Sequence, residues 1–148
     1  MLRPSARVQY ALRAMVDLAL HDGSGPVPLR DLANGEPVSR KYLEQLASAL
    51  HRAGLVRVAR GPNGGYELAR SADHISAKEI IESVNGPTNL LDCLLSPSSC
   101  QRSRTCAARR MWGRVNEAVL LVLEETTLGD LREQQRAREG GYSPSYQI

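Results

Sequence analysis

The sequence predicts a mainly α-helical fold with one small β-hairpin, and three observations support this prediction. Apolar residues recur at helical spacing near the amino end and again in a long segment near the carboxyl end. Between these segments the spacing changes to alternation around a glycine-rich tip, which is typical of a hairpin. Only one Trp and five Tyr are aromatic among 148 residues, so small aliphatic side chains must fill the interior, as in packed helices.

Three helices are predicted in the first part of the chain. The first covers 5–21 and carries one apolar stripe, and turn residues follow it. A short helix is expected over 29–34, with a tight turn at 34–37. The third covers 39–54, with Ser39 as a candidate N-cap and a glycine at its end.

The middle and the end of the chain predict different elements. Residues 55–60 and 66–69 alternate around the tip 61–65, and Ser76 is expected to cap a short helix that ends near Val84. Helical periodicity is absent from 86–105. A long helix is then expected over 107–126, with its apolar stripe at Ala108, Met111, Trp112, Val115, Val119 and Val122.

Charge is distributed unevenly between the two halves of the chain. Residues 1–70 contain ten Arg or Lys against six Asp or Glu, whereas 71–148 contain nine against ten. This asymmetry favours an anionic partner for the first half.

Three helices followed by a basic hairpin are the components of a winged helix-turn-helix, whose third helix enters the major groove of DNA. A carboxylate at Glu44 is informative because phosphates repel it, unless it accepts a hydrogen bond from a base such as cytosine. Arg60, beside flexible glycines, could enter a narrow minor groove. The predicted DNA-binding residues are Ser39, Arg40, Lys41, Tyr42, Glu44, Arg60 and Gly61. The alternative interpretation is an ordinary solvated helix face and a surface arginine.

Cys93, Cys100 and Cys106 are the three cysteines of the chain and lie within fourteen residues. Thiolates in an irregular segment suit a soft metal centre, and an iron–sulfur cluster is wider than a single ion. Five arginines and no acidic residue occupy 93–114, so their positive field favours thiolates. Structural zinc, a thiol switch without metal and free cysteines without function remain alternatives.

Other function classes find little support in the sequence. His21, His51 and His74 are scattered, and the glycines of 61–65 lie in a hairpin rather than before a helix, so we expect no enzyme. No run of eighteen apolar residues and no signal-peptide pattern occurs, so we expect no membrane partner and a cytoplasmic location.

Taken together, these residues resemble the IscR-type and NsrR-type iron–sulfur transcription regulators of bacteria, over nearly the whole chain. The matching segments are Tyr10–Met15, Val38–Leu46, Arg60–Tyr66, the three cysteines, Trp112 and Thr127–Leu131.

The resemblance implies a bacterial homodimer that binds double-stranded promoter DNA and whose affinity depends on an iron–sulfur cluster. It places the cluster on Cys93, Cys100 and Cys106, with 2Fe–2S slightly favoured over 4Fe–4S. It also places dimerisation on the long helix, at Met111, Trp112, Val115 and Val119.

Two departures from the family pattern affect the cluster site. The first cysteine spacing is one residue longer than in the best-known members. A histidine three residues after the last cysteine often serves as a ligand, but here that position is Arg109, and arginine stays protonated. The nitric-oxide-sensing branch uses a carboxylate from the partner's first helix, where this chain has Gln9. The fourth ligand is therefore open.

The first hypothesis is therefore a regulator controlled by a cluster. The second keeps DNA binding under thiol or small-ligand control, and the third is a cluster carrier that does not bind DNA. The predicted organisation is a DNA-binding region (1–70), a connecting helix and linker (71–90), a cluster loop (91–106), a dimerisation segment (107–138) and a disordered tail (139–148). The sequence leaves open the operator, the sensed signal, and activation against repression.

Overall fold

The structure, a computed structural model, describes residues 3–32 and 37–140. Within these ranges six helices and one two-stranded antiparallel sheet follow in chain order. They are α1 (Ala6–Leu20), α2 (Arg40–Arg52), β1 (Val56–Ala59), β2 (Gly65–Leu68), α3 (Ala77–Asn85), α4 (Asp92–Leu95), α5 (Ala107–Glu125) and α6 (Leu128–Gly140). The mainly α fold with one hairpin is confirmed.

Serine side chains begin three of the helices. Ser5 Oγ accepts a hydrogen bond from the Val8 amide at 3.3 Å, and Ser39 Oγ accepts one from the Tyr42 amide at 3.1 Å. Ser76 caps α3 in the same way. Because an N-cap satisfies a backbone donor that the helix leaves unpaired, these starts are set locally, where the sequence placed them.

The core surrounds α1. Ala11, Met15 and Ala19 are fully buried there, and α3 and α6 pack against this helix. Ile80 of α3 and Leu128 of α6 are likewise 0% exposed. The amino-terminal helices and the carboxyl-terminal helix α6 therefore share one core.

The hairpin is paired on both edges of β2. On one edge, Val56 of β1 is paired with Leu68 of β2. On the other edge, Val27 exchanges two backbone hydrogen bonds of 2.8 Å with Tyr66. A Cβ added at Gly65 would overlap the Val27 carbonyl, so this close approach requires glycine.

Two predictions near the first turn and the cysteines differ from the structure. Leu29–Asp31 forms a 3-10 turn where we expected a helix over 29–34, and Ala33–Glu36 lie outside the described residues. The single turn α4 and a 3-10 turn at Pro97–Ser99 occur where no helix was expected. Both are too short to show an apolar period.

The second long carboxyl-terminal helix, α6, was not predicted. Its start is a reciprocal cap, in which the Thr127 amide donates to Asp130 Oδ2 at 2.9 Å and the Asp130 amide donates to Thr127 Oγ1 at 3.0 Å. The helix carries few apolar residues, so its periodicity is weak. It extends to Gly140, into the predicted tail 139–148, of which 141–148 lie outside the described residues.

Across residues 3–32 and 37–140, no helix combines the length and the apolar character that crossing a membrane requires.

Candidate nucleic-acid interface and cysteine loop

Helix α2 presents a polar amino-terminal surface because its other face is used by the core. Leu43, Leu46, Ala47, Ala49 and Leu50 are buried. Ser39, Arg40, Lys41 and Glu44, which the sequence singled out, are all exposed at the beginning of the helix. Ser39 Oγ accepts the capping hydrogen bond, so its hydroxyl proton can still be donated to an outside acceptor.

Tyr42 differs from its neighbours because it is half-buried. Its ring packs edge-on against Tyr10 of α1, with 5.9 Å between the ring centroids and an interplanar angle of 82°. Such a pair stabilises the orientation of both rings. The contact therefore anchors the beginning of α2 to α1.

Arg40 and Glu44 form an ion pair one helical turn apart, with Nε 3.2 Å from Oε1. Their side chains are 85% and 54% exposed, so water screens the pair and its contribution to stability is small. The pair nevertheless gives the Glu44 carboxylate a preferred position on the exposed surface. The sequence indicated both residues but not their contact.

The hairpin tip, which we call the wing tip (residues 60–64), follows α2 after one short strand. Arg60 and Gly61 are exposed there, and Gly61 has φ +108°, a conformation that favours glycine. Lower in the hairpin, Arg57 lies opposite Glu67 and pairs with it at 3.5 Å. Arg60 is thus the arginine at the tip, while Arg57 has a carboxylate partner within the hairpin.

The segment 91–106, which we call the cysteine loop, lies between α3 and α5 and includes the single turn α4. Cys93 lies in α4, Cys100 is exposed, and Cys106 is the N-cap of α5. Within the described chain no three His, Cys, Asp or Glu side chains form a group that could hold a metal ion. The loop therefore brings the three thiols to one segment without closing them around a single-ion site.

Arg109 connects the first and the last cysteine. Its Nε and Nη2 both donate to the Cys93 carbonyl at 3.2 Å, and its Nη1 donates to the Ser103 carbonyl at 3.5 Å. Its backbone amide donates to Cys106 Sγ at 3.4 Å. Sequence reasoning treated Arg109 only as a departure from a ligand pattern and missed these contacts, for which the sequence carries no signal.

The carboxyl-terminal helices attach the loop to the rest of the molecule. Asn116 Oδ1 of α5 accepts a hydrogen bond from the Leu90 amide at 2.9 Å, just before the loop. Lys78 of α3 bonds Glu124 of α5 at 2.9 Å, and this hydrogen bond together with the attraction of the carboxylate raises the pKa of Lys78 above 10.5. Helix α5 is thus bonded to α3 near its carboxyl end and, at its middle, to the residue that precedes the cysteine loop.

Helix α5 leaves its apolar stripe largely uncovered. None of its nineteen residues, all of them within the described chain, is buried. Trp112, Val115 and Val119 are half-buried, while Met111 is 46% and Val122 61% exposed. Gln9, the position from which the resemblance would draw a ligand in a partner, is exposed on α1.

A helix with an exposed polar start, held between α1 and a glycine-tipped hairpin, defines a winged helix-turn-helix protein, a class that binds duplex DNA. In this structure the helix is α2 and the wing is β1–β2.

The chain belongs to the Rrf2 family of iron-dependent transcriptional regulators, whose match covers residues 4–134. It is 36% identical over 138 residues to the HTH-type transcriptional regulator IscR of Photobacterium profundum, covering 93% of this chain and 80% of that protein. The family resemblance drawn from the motifs is confirmed.

Two solved structures show the same fold. T. potens IscR has a TM-score of 0.75 and 33% identity, covering 98% of this chain and 95% of that one. The oxidized form of Staphylococcus aureus CymR has a TM-score of 0.72 and 36% identity, covering 89% and 97%. The chain is therefore a transcription regulator and not an enzyme, and the cluster-carrier hypothesis loses its support.

Proposed function

We propose that this protein is a homodimeric regulator whose affinity for promoter DNA is controlled by an iron–sulfur cluster on Cys93, Cys100 and Cys106. The observation that carries the proposal is the cysteine loop itself, three thiols joined directly to the start of a long, uncovered helix. Duplex promoter DNA of a bacterium lies in the cytoplasm, which is where we place the protein.

The DNA contacts are assigned to Ser39, Arg40, Lys41, Tyr42, Glu44, Arg60 and Gly61. The start of α2 offers several hydrogen-bond donors and one acceptor, and the major groove is wide enough to admit a helix. The exposed Arg60 guanidinium at the wing tip suits a narrow minor groove. Phosphate contacts from the basic residues would supply affinity, and Glu44 would supply discrimination between bases.

The donor set of the cysteine loop fits a cluster. Cys106 caps a helix of nineteen residues, and its sulfur accepts an amide hydrogen bond from Arg109 at 3.4 Å, which fixes the position of the sulfur at the start of α5. Arginines in and beside the loop supply positive charge to an anionic group. When bound, the cluster would supply a redox-sensitive centre whose gain or loss changes the shape of the loop.

The route from the loop to DNA is a chain of packed elements. The loop continues into α5, α5 packs on α3, and α3 packs on α2. The uncovered stripe of α5, which includes Met111, Trp112, Val115 and Val119, would be covered by the same helix of a second copy. A shift of α5 would then move both α2 helices, and with them the spacing at which a dimer meets two half-sites.

The test compares cluster-loaded with cluster-free protein on its own upstream DNA. Anaerobic purification should yield coloured protein with iron and acid-labile sulfide, and removal of the cluster should change its affinity for that duplex relative to random duplex. A variant with all three cysteines changed to serine is expected to have the same affinity for that duplex under both conditions. A colourless protein without labile sulfide, even after reconstitution, would contradict cluster control.

Thiol control without a cluster is the second candidate, and the similarity to oxidized CymR favours it. Under this alternative, metal-free protein would change its DNA affinity between a thiol reductant and a mild oxidant. Cluster control predicts no such change in metal-free protein, so this measurement separates the two candidates.

A further inference from the structure

Arg109 lies in the first turn of α5 and is half-buried. All three of its guanidinium nitrogens donate to backbone carbonyls of the cysteine loop, two to Cys93 and one to Ser103. Its backbone amide also contacts Cys106 Sγ. One residue thus bonds to both ends of the loop that carries the thiols.

These contacts are unlike those of a metal ligand. A guanidinium stays protonated and has no lone pair to offer at neutral pH, and here each nitrogen already has a carbonyl acceptor. The planar guanidinium instead suits a positioning role, in which Nε and Nη2 both donate to the Cys93 carbonyl and hold it in place.

We propose that Arg109 is a positioning residue, a clasp that folds the cysteine loop and gathers Cys93 and Cys106 before any cluster is present. The cluster would then meet a loop that is already ordered, and it would take no ligand from position 109. The clasp can be tested in cluster-free protein, while its effect on a bound cluster rests on the proposed function.

Few other contacts could order this loop. Short backbone hydrogen bonds close local turns at Ser96, Ser103 and Thr105, each within three or four residues. The Ser103 hydroxyl also donates to the Pro97 carbonyl at 2.7 Å, across six residues, whereas the Arg109–Cys93 contact spans sixteen residues and ties α5 to the beginning of the loop. Hydrogen bonds from a charged donor that is partly shielded from water are also stronger than neutral ones.

The first experiment measures hydrogen–deuterium exchange across the cysteine loop of the full-length, reduced, chelator-treated protein. In Arg109→Gln the amides of Ser96, Ser103 and Thr105 should exchange roughly tenfold faster than in the wild type. Arg110→Gln is the matched control, since Arg110 is exposed on the same turn, and it should exchange like the wild type. Equal exchange in the two variants would overturn the clasp.

Arg109→Lys keeps the positive charge but loses the paired guanidinium donors. It provides a second test in case the glutamine variant does not fold. Its loop should exchange faster than that of the wild type, by roughly threefold or more. Protection equal to that of the wild type would show that charge alone suffices and would remove the bidentate contact from the proposal.

The second experiment follows cluster loss to a chelator by visible absorption and circular dichroism. Arg109→Gln and Arg109→His should both lose the cluster roughly tenfold faster than wild type and Arg110→Gln. A histidine variant that holds the cluster more tightly than wild type, with a changed spectrum, would show instead that position 109 is an empty ligand site. A wild type that takes up no iron or sulfide would defeat cluster control, yet the exchange result would still decide the clasp.

Discussion

At the level of single residues, the charged side chains at the start of α2 divide into one acceptor and two cations. Glu44 is the acceptor, and Arg40 holds it at 3.2 Å on the exposed surface. On DNA bound as proposed, the ion pair would reduce the repulsion between this carboxylate and the phosphates. Arg40 would then contribute to DNA binding through Glu44 as well as through its own charge.

Glu44→Ala is expected to relax base preference at one operator position by about 1–3 kcal/mol, because a direct base contact is lost. Binding of a library of operator variants, measured by fluorescence anisotropy, would show this as a flattened preference at that position. In the Arg40→Ala protein the loss on removing Glu44 should be smaller, since the carboxylate is no longer held. Unchanged discrimination in Glu44→Ala would remove direct readout there.

Arg60→Ala is expected to weaken DNA binding by about 1–3 kcal/mol and to lower its salt dependence, since we propose that the tip arginine enters the minor groove. The matched control is Arg57→Ala, which removes the same charge from a side chain already paired with Glu67 in the same hairpin. Titrations at several salt concentrations compare them. If both substitutions reduced affinity equally, only the charge of the hairpin and not its tip would matter.

At the level of elements, α3 shows how a short helix is held at its start. Ser76 Oγ accepts from the Glu79 amide at 3.1 Å, and Glu79 accepts from the Ser76 amide at 3.0 Å. Arg70 adds a 2.6 Å hydrogen bond to the same carboxylate. Because α3 contacts α1, α2 and α5, this cap positions a helix that lies between α2 and α5.

Removing this cap should destabilise the protein in a pH-dependent way. Partial burial alone would raise the pKa of Glu79, but hydrogen bonds from Ser76 and Arg70 outweigh it and lower the pKa below 4.5. A carboxylate with a lowered pKa stabilises the fold above its ordinary pKa, and this stabilisation is lost as the pH falls through the folded-state value.

Ser76→Ala should therefore cost about 1 kcal/mol in urea unfolding at neutral pH. Glu79→Gln should also destabilise at neutral pH, and its difference from wild type should shrink as the pH falls below 4.5. Ser48→Ala, on the exposed face of α2, serves as the control. A difference for Glu79→Gln that stayed constant over the acid range would contradict the assigned hydrogen bonds.

At the level of the whole molecule, α5 connects the cysteine loop with α3. It begins at Cys106, is clasped to the loop by Arg109, and reaches α3 through Lys78 and Glu124. Its apolar stripe is only partly covered within one copy of the described chain, with Met111 and Val122 exposed. A second copy of α5, as proposed above, would cover the exposed stripe and would pair two DNA-binding surfaces.

Met111→Glu should break the dimer while leaving the single copy folded, because Met111 is 46% exposed in one chain. Burying an unpaired carboxylate in the interface should raise the dimer dissociation constant roughly tenfold or more. Sedimentation velocity and operator binding should change together. Glu117→Lys, on the exposed face of the same helix, is expected to remain dimeric, and a dimeric Met111→Glu would place the interface elsewhere.

What the sequence determined by itself was local. The serine caps at Ser39 and Ser76 depend on hydrogen bonds within three residues, and the hairpin depends on alternation around its glycines, so both can be read along the chain. The cysteine loop and the start of α2 were likewise visible as motifs, although their roles as ligands and base contacts stay predictions.

Tertiary structure decided what depends on distant partners. Helix α6 has little apolar periodicity, and its cap at Thr127 is held because Leu128 is buried and its amide donates to the Ile75 carbonyl at 2.8 Å. Arg109 finds the Cys93 carbonyl only when sixteen residues of chain have folded back. Neither contact leaves a trace in residue spacing, because a hydrogen-bond donor does not encode which distant carbonyl it will meet.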